Sequence, residues 1–185
     1  LSPAIRNYIE RVSPHTKVYV IPNMADCTFF DAAYSIGDFS DNNRFQITYC
    51  GALGKANHLE YLIDAARQCK EESMPVHFNI IGYGSELKRL KSLAKRLKNV
   101  SFYPHSSKHC VKNLLDKSDA VYVSFKDVKV LGTGSPNKLF DSLASGKLTI
   151  INFDGWIRNL ISKNKCGFHH DPHSKTAFVR KIKVF

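Results

Sequence analysis

The sequence predicts an α/β fold in which helices cover both faces of a parallel sheet. Short runs rich in β-branched and aromatic residues alternate with longer runs of helical periodicity, an order that joins parallel strands through crossover helices. Two of the short runs, "FNIIG" and "AVYVSF", are apolar at successive positions, as expected of strands buried on both faces. The sheet is therefore of the Rossmann-like, three-layer α/β/α class.

The individual elements follow from the same two patterns. Residues rich in β-formers predict strands over 17–22, 45–51, 76–82, 99–103, 120–125 and 148–153. Apolar residues three and four positions apart predict helices over 58–72, 86–99, 108–118, 137–145 and 156–164. Right-handed crossovers place the loops after the strands along one edge of the sheet, where ligands bind in such folds. The polar tract 31–43 is predicted to be a connecting loop.

Composition limits the partners of the chain. Its 185 residues carry 27 Lys and Arg against 16 Asp and Glu, a formal net charge of +11. This charge favours an anionic partner, either a nucleotide, a nucleic acid or an acidic lipid surface. Much of the excess lies in 86–99, where a basic face predicts either a solvated surface helix or a helix that lies on a membrane.

The cysteines and the hydropathy argue against a disulfide-stabilised, a zinc-binding or a membrane-spanning protein. Five cysteines, an odd number without zinc-ligand spacing, indicate a reduced compartment, and we expect a cytoplasmic protein. The sequence has no apolar run of the length that a membrane-spanning helix requires. The first residue is Leu and the last residues, "FVRKIKVF", resemble a helix cut short, so we expect a piece of a longer protein.

The stretch "GTGSPNKLFDSLASGK" (132–147) carries the main functional signal. A helix that begins near Asn137 has free amides and a partial positive charge at its start, which favour an anion such as phosphate. Ser135 and Asn137 are good capping residues, Pro136 suits an early helical position, and Lys138 adds a full charge where a capped helix would favour an acid. We interpret the stretch as a phosphate cradle, with an ordinary capped helix as the alternative.

Asp141 lies one turn after Asn137 and therefore on the same helix face. A carboxylate at this position is placed to accept hydrogen bonds from the diol of a ribose. The alternative is a surface acid that pairs with Lys138 or Lys147.

Three further loops have weaker signals. In the loop after the second predicted strand, Gly51 and Gly54 allow close backbone approach and Lys55 supplies a charge, although no complete phosphate-binding fingerprint is present. The next loops contribute the candidate ligand contacts Gly82, Tyr83, Gly84, His105 and Ser106. The glycines of the second loop have the alternative role of turning the chain, and an isolated histidine is often structural.

Taken together and in order, these motifs resemble the C-terminal half of a GT-B glycosyltransferase of the family 4 type. The resemblance covers most of the chain and is closest to enzymes of bacterial surface-polysaccharide assembly. The segments that carry it are "VIPNMAD" (20–26), "ITYCGALGKANHLEYLIDAA" (47–66), "FNIIGYGSELKRL" (78–90), "NVSFYPHSSK" (99–108), "LLDKSDAVYVS" (114–124), "SPNKLFDSLASGK" (135–147) and residues 153–168.

The resemblance implies a donor-binding domain and a hexosyltransferase activity. Residues 1–16 would be the tail of an interdomain connection and 17–185 the domain that binds a nucleotide-diphosphate sugar. The acceptor, a glycan or a lipid-linked glycan, would be held mainly by an N-terminal domain that this sequence does not include, so the isolated domain would be inactive. We expect contact with the inner face of an anionic membrane and no nucleic-acid partner.

The resemblance also implies roles for individual residues, with departures from the family pattern. Asp141 stands where the family has the second of two glutamates separated by seven residues, which contacts the ribose, and Thr133 stands at the first, which faces the donor sugar. Ala52 and Asn57 replace the basic pair of the first glycine loop, so that Lys55 and Lys138 would supply the charge on the diphosphate. No D-x-D pair is present, and we expect transfer without a metal or other cofactor.

Two other functions fit the sequence less well. A nucleotide-sugar epimerase has the same architecture and needs acid and base groups in its cleft, for which Glu86 and His105 are the candidates. A non-enzymatic module that binds anions or nucleic acid would explain the net charge. It has no recognition motif and few aromatic residues among its basic ones.

Overall fold

A computed structural model describes residues 2–30 and 44–184 of the chain. Its strands form one six-stranded parallel sheet with the spatial order β3-β2-β1-β4-β5-β6. The order reverses between β1 and β4, and at such a point the loops diverge and leave a crevice at the carboxyl edge. The strands are β1 Phe45–Cys50, β2 Val76–Ile81, β3 Val100–Tyr103, β4 Ala120–Val123, β5 Leu148–Ile151 and β6 Gly167–His169.

Helices connect the strands and precede the sheet. A short 3₁₀ turn over Leu131–Thr133 lies between β4 and the helix that follows it. The helices are α1 Pro3–Val12, α2 Cys27–Phe30, α3 Glu60–Glu71, α4 Leu87–Leu93, α5 Lys108–Asp116, α6 Asn137–Ala144, α7 Trp156–Asn164 and α8 Ala177–Ile182.

Two hydrophobic clusters cover the two faces of the sheet. In β4 the side chain of Tyr122 belongs to the cluster formed with α3, α4 and α8, whereas its neighbours Val121 and Val123 belong to the cluster formed with α2, α5, α6 and α7. Alternate residues of a strand point to opposite faces, so β4 is buried on both sides. The predicted three-layer α/β/α architecture is confirmed.

Two predicted elements are wrong. Residues 17–22 form no strand, and Tyr19 and Ile21 are 70% and 75% exposed, because this run pairs with no strand of the described chain. The basic helix predicted over 86–99 ends at Leu93, where the chain turns so that Leu97 packs against the core and β3 can begin. The other five strands and four helices are confirmed, with ends shifted by a few residues.

Four helices and strands were not predicted, and one prediction lies outside the described residues. The structure adds α1, α2, β6 and α8, although the residues of α8 had suggested an interrupted helix, and it adds the 3₁₀ turn over Leu131–Thr133. The loop predicted over 31–43 falls outside the described part of the chain. Within residues 2–30 and 44–184, no helix has the length and apolarity to cross a membrane, and all five cysteines are free thiols.

Candidate functional site

The loops with predicted ligand contacts lie along the carboxyl edge of the sheet. This follows from the parallel pairing of β1 through β4, which brings the residues after each strand to the same side. Two backbone hydrogen bonds join the loops after β1 and β2. There the amide of Gly51 donates to the carbonyl of Ile81 at 3.0 Å, and the amide of Leu53 donates to the carbonyl of Tyr83 at 2.8 Å.

This close pairing explains two of the predicted glycines without a ligand. A Cβ atom on Gly82 would lie 1.9 Å from the carbonyl oxygen of Gly51, and one on Gly84 would lie 2.4 Å from that of Leu53. Gly82 also has φ of 151°, which residues with a side chain rarely adopt. The alternative role of these two glycines, to let the chain turn where the two loops pack closely, therefore accounts for their presence.

Gly54 and Lys55 differ from that pair. No heavy atom lies within 4 Å of a Cβ built on Gly54, so the space beside its backbone is open. Lys55 is exposed and makes no ion pair with a residue of the described ranges. Packing alone does not require a glycine or a lysine at these positions, and their predicted role in phosphate binding stays a prediction.

The start of α6 does not have the predicted cap. Pro136 is the N-cap and has no side-chain atom that could accept a bond from the helix amides, while the Ser135 hydroxyl is buried without a hydrogen-bond partner in the described chain. The side-chain amide of Asn23 instead donates to the Ser135 carbonyl and to the Asn137 side-chain oxygen, each at 2.7 Å. No described residue accepts a hydrogen bond from the backbone amides of Asn137 and Lys138, so these donors stay available.

Lys138 crosses from the first turn of α6 to the loop after β1. Its Nζ donates to the Tyr49 hydroxyl at 3.0 Å and to Asn57 Oδ1 at 2.9 Å, and it lies 4.4 Å from the centre of the Tyr49 ring. No carboxylate of the described residues is within ion-pair distance of it. Burial lowers the pKa of Lys138 to about 8.

The groups around this ammonium are held in place by their own bonds. The Tyr49 hydroxyl donates to the carbonyl of Ala52 at 2.7 Å, and the side-chain amide of Asn57 donates to the same carbonyl at 2.9 Å. Both are therefore oriented to accept from Lys138, which keeps at most one of its three protons for another acceptor. The ammonium therefore lies beside Asn57, and its predicted role in place of the family's basic pair stays a prediction.

Asp141 lies near the same corner and has no ion-pair partner among the described side chains. Burial raises the pKa of its carboxyl group, and the cation of Lys108 opposes this shift. The alternative of a pair with Lys138 or Lys147 is wrong, because Lys147 donates to the backbone of Asp116 instead. Burial raises the pKa of the neighbouring Cys50 thiol to about 12, and the charges of Lys138 and Asp141 act on it in opposite directions. The thiol therefore stays neutral.

The loop before α6 is fixed by packing and backbone bonds. The Thr133 hydroxyl donates to the carbonyl of Val130 at 2.7 Å, so its oxygen keeps lone pairs but its proton is used. A Cβ on Gly132 would lie 2.4 Å from the carbonyl oxygen of Asp154, and the Trp156 indole donates to the carbonyl of Gly134 at 2.8 Å. The glycines of this stretch thus have an architectural reason as well as the predicted chemical one.

An aromatic pair marks the outer end of the edge. The rings of Tyr83 and His105 stack with centres 4.8 Å apart and 24° between their planes, and Tyr83 is 64% exposed. Ser106 donates to the carbonyl of Pro104 at 3.1 Å. Glu86, the other group considered for acid–base chemistry, pairs with Arg89 at 3.2 Å.

The sequence did not indicate all members of this site. The sequence analysis did not predict Tyr49 or Asn23. The pattern around Tyr49 is that of a buried strand, and Asn23 is distant in sequence from α6. The only available signal for Asn23 was its place in the "VIPNMAD" motif. In the described residues, no group of three or more His, Cys, Asp or Glu side chains is arranged to hold a metal ion.

Comparison with known proteins places this geometry in a family. Residues 37–185 match the family of glycosyl transferases, group 1. The chain belongs to this family. A curated relative, the putative colanic acid biosynthesis glycosyl transferase WcaI of Escherichia coli, is 29% identical over 161 residues, which cover 80% of this chain and 38% of the relative.

Solved structures show the same fold. WaaG, a glycosyltransferase involved in lipopolysaccharide biosynthesis, superimposes with a TM-score of 0.75 at 11% identity, over 100% of this chain and 52% of its own. HepE from Anabaena, solved in complex with UDP and glucose, gives a TM-score of 0.74 at 19% identity, over 99% and 51%. The chain thus spans about half the length of these proteins, or less. The fold is that of one half of a GT-B glycosyltransferase, and the family favours a glycosyltransferase over the two alternative functions.

Proposed function

We propose that the chain is the donor-binding part of an enzyme that transfers a sugar from a nucleotide-diphosphate sugar to a glycan or lipid-linked acceptor in surface-polysaccharide biosynthesis. The observation that carries this proposal is the ammonium of Lys138. It is half-buried at the start of α6, bonded only to neutral groups, and next to two free backbone amides. A cation in this setting lacks a counter-ion, and a diphosphate supplies one.

The proposed chemistry is electrostatic. Transfer breaks the bond between the anomeric carbon and the β-phosphate oxygen while an acceptor hydroxyl attacks that carbon, so negative charge accumulates on the departing nucleoside diphosphate. The amides of Asn137 and Lys138, the helix dipole of α6 and the Lys138 ammonium stabilise this charge. Their partial burial strengthens the interaction, because fewer water molecules screen it.

The other predicted residues complete the donor site. Asp141 accepts hydrogen bonds from the ribose hydroxyls, and Thr133 faces the donor sugar. Gly54 and Lys55 lie on the side of the diphosphate opposite α6. The exposed ring of Tyr83, backed by His105, offers a stacking surface for the base.

The proposal extends to the acceptor, the location and the metal requirement of the complete enzyme. An additional domain holds the acceptor, so this chain alone binds donor without turning it over. The protein acts in the cytoplasm, at the inner face of an anionic membrane where lipid-linked acceptors lie. The leaving group is stabilised by amides and lysine side chains, so the reaction needs no metal, and we expect full activity of the complete enzyme in the presence of a chelator.

Calorimetric titration of the chain with UDP, GDP and ADP tests the donor site. We expect one of these nucleotides to bind, and Lys138→Met to weaken its binding at least about tenfold, since a charge-assisted bond of about 1.5 to 3 kcal/mol is lost. Lys147→Met is the matched control. It removes the same charge at the other end of α6, and we expect unchanged affinity. Equal affinities of the two variants, or no binding of any nucleotide, would overturn the proposal.

A further inference from the structure

A groove of about 580 Å³ lies at the amino edge of the sheet, opposite the candidate donor site. Three segments form it: the residue before β1, the end of α3 with the turn to β2, and the turn between α4 and β3. Four cations of the described chain line it, one or two from each segment. They are Arg44, Lys70, Arg96 and Lys98, and the lining residues within the described ranges include no acid.

These cations have no carboxylate partner within the described ranges, unlike several arginines elsewhere. Arg6, Arg67, Arg89 and Arg158 each pair with an acid. Among the four cationic side chains, that of Lys70 donates a hydrogen bond to another described residue: its Nζ donates to the backbone carbonyl of Arg96 at 2.9 Å, which joins two of the three segments. The positive charge of the groove is therefore uncompensated, which favours an anionic occupant.

The remaining lining residues indicate the class of that occupant. Met74, Pro75 and Val76 contribute aliphatic surface beside the polar Ser73 and Asn99, and none of the lining residues in the described part of the chain is aromatic. Bases of single-stranded nucleic acids stack on aromatic rings, so a groove without rings fits them poorly. A cationic rim beside aliphatic surface fits an amphiphile, in which phosphate groups lie next to glycerol and acyl carbons.

We propose that this groove binds the headgroups of anionic phospholipids and fixes the orientation of the chain on a membrane. The exposed Lys91 of the adjoining helix α4 extends this positive surface, because its Nζ lies 5.9 Å from the centre of the Phe102 ring on the edge strand β3. A membrane at the groove is therefore placed to contact this side of α4 as well.

Co-sedimentation of the chain with vesicles tests this assignment. We expect binding to vesicles of phosphatidylcholine mixed with phosphatidylglycerol and none to phosphatidylcholine alone. Reversal of two groove charges, Arg96→Glu with Lys98→Glu, should lower the partition coefficient about tenfold or more. The matched control, Lys163→Glu with Arg180→Glu, makes the same charge change at exposed sites outside the groove and should lower it by less than about threefold.

The other outcomes are decisive. Equal losses in the two double variants would show attraction by net charge alone and overturn the proposal, as would failure of the unmodified chain to bind the anionic vesicles. Retention on heparin that depends on the groove cations, without vesicle binding, would overturn the proposal in favour of a soluble polyanion. Loss of vesicle binding in the presence of millimolar inorganic phosphate would overturn it in favour of a free-phosphate site. The nucleotide titration of the groove variant should be unchanged, so failure of the donor site and failure of the groove are told apart.

Discussion

The two edges of the sheet both carry positive charge, but they present it in opposite ways. At the carboxyl edge one ammonium, that of Lys138, is half-buried and oriented by two neutral oxygen atoms. At the amino edge four cations lie around an open groove, and of their side chains only that of Lys70 donates a hydrogen bond to another described residue. The first arrangement suits one phosphate group in a fixed position, and the second suits a diffuse anionic surface.

The difference teaches how burial changes what a cation can do. A buried charge interacts strongly over short distances and is weakly screened, but its pKa moves toward the neutral form. Exposed charges keep their protons and act together, but salt screens them. The carboxyl edge should therefore respond to packing and pH, and the amino edge to ionic strength.

The largest expected effect tests the packing of the carboxyl edge. Gly82→Ala places a methyl group 1.9 Å from the Gly51 carbonyl oxygen at a φ of 151°, and we expect a loss of about 3 kcal/mol or more in the free energy of unfolding, measured with urea. Gly54→Ala, which meets no atom within 4 Å, should change it by less than about 0.5 kcal/mol. If Gly54 lies beside the diphosphate, its alanine variant loses nucleotide affinity without losing stability.

A buried histidine beneath the same edge should make stability pH-dependent. His170 follows β6, is 3% exposed, and shares a 2.7 Å hydrogen bond with the Tyr122 hydroxyl. Burial, assisted by His169, lowers the pKa of His170 to about 4, whereas an unfolded histidine titrates near pH 6.5. The unfolded chain therefore binds the proton first, and stability present above pH 6.5 is lost as the pH falls toward 4.

Urea unfolding at a series of pH values measures this loss. We expect the His170 contribution to reach about 2 to 3 kcal/mol near pH 4, at 1.36 kcal/mol per pKa unit. His170→Gln removes the titrating group, so its stability should decline less steeply between pH 6.5 and 4. Parallel curves for the two proteins would contradict the burial of a neutral imidazole at this position.

The next effect concerns the charge of Lys138. Because its pKa lies near 8 in the free protein, the ammonium loses its proton as the pH rises through 8. Nucleotide affinity should therefore fall by up to about tenfold between pH 7 and pH 9. Calorimetry at both values measures it, and Lys138→Met should remove most of this pH dependence. An equal decline in that variant would assign it to another group.

The smallest effect on the donor site should come from salt. An increase from low to high ionic strength shortens the screening length, and we expect nucleotide affinity to fall by less than about threefold. Vesicle binding through the exposed groove should fall much more over the same range. A similar salt dependence of the two processes would remove the distinction between the edges.

The sequence predicted the chain path better than the site. Five strands follow from runs of β-formers because each run pairs with a neighbouring strand of the sheet, whereas the similar run at 17–22 is largely exposed and forms no strand. The end of α4 was predicted wrongly because the helical spacing of apolar residues continues through Leu97, although the helix ends at Leu93 and the backbone turns at Ala94. Strand β6 was not predicted because its three residues are too few to show the alternation of apolar and polar side chains that is typical of a strand.

The sequence by itself determined the fold class, the edge that carries the ligand loops and the excess of positive charge, because alternation of strands and helices and residue composition are local properties. Tertiary structure decided which of these residues meet. It brought Lys138 to Tyr49 and Asn57, set Gly82 against Gly51, and gathered four cations around one groove. Such contacts depend on strand order and helix packing, which join residues far apart along the chain and leave no mark in any single stretch of it.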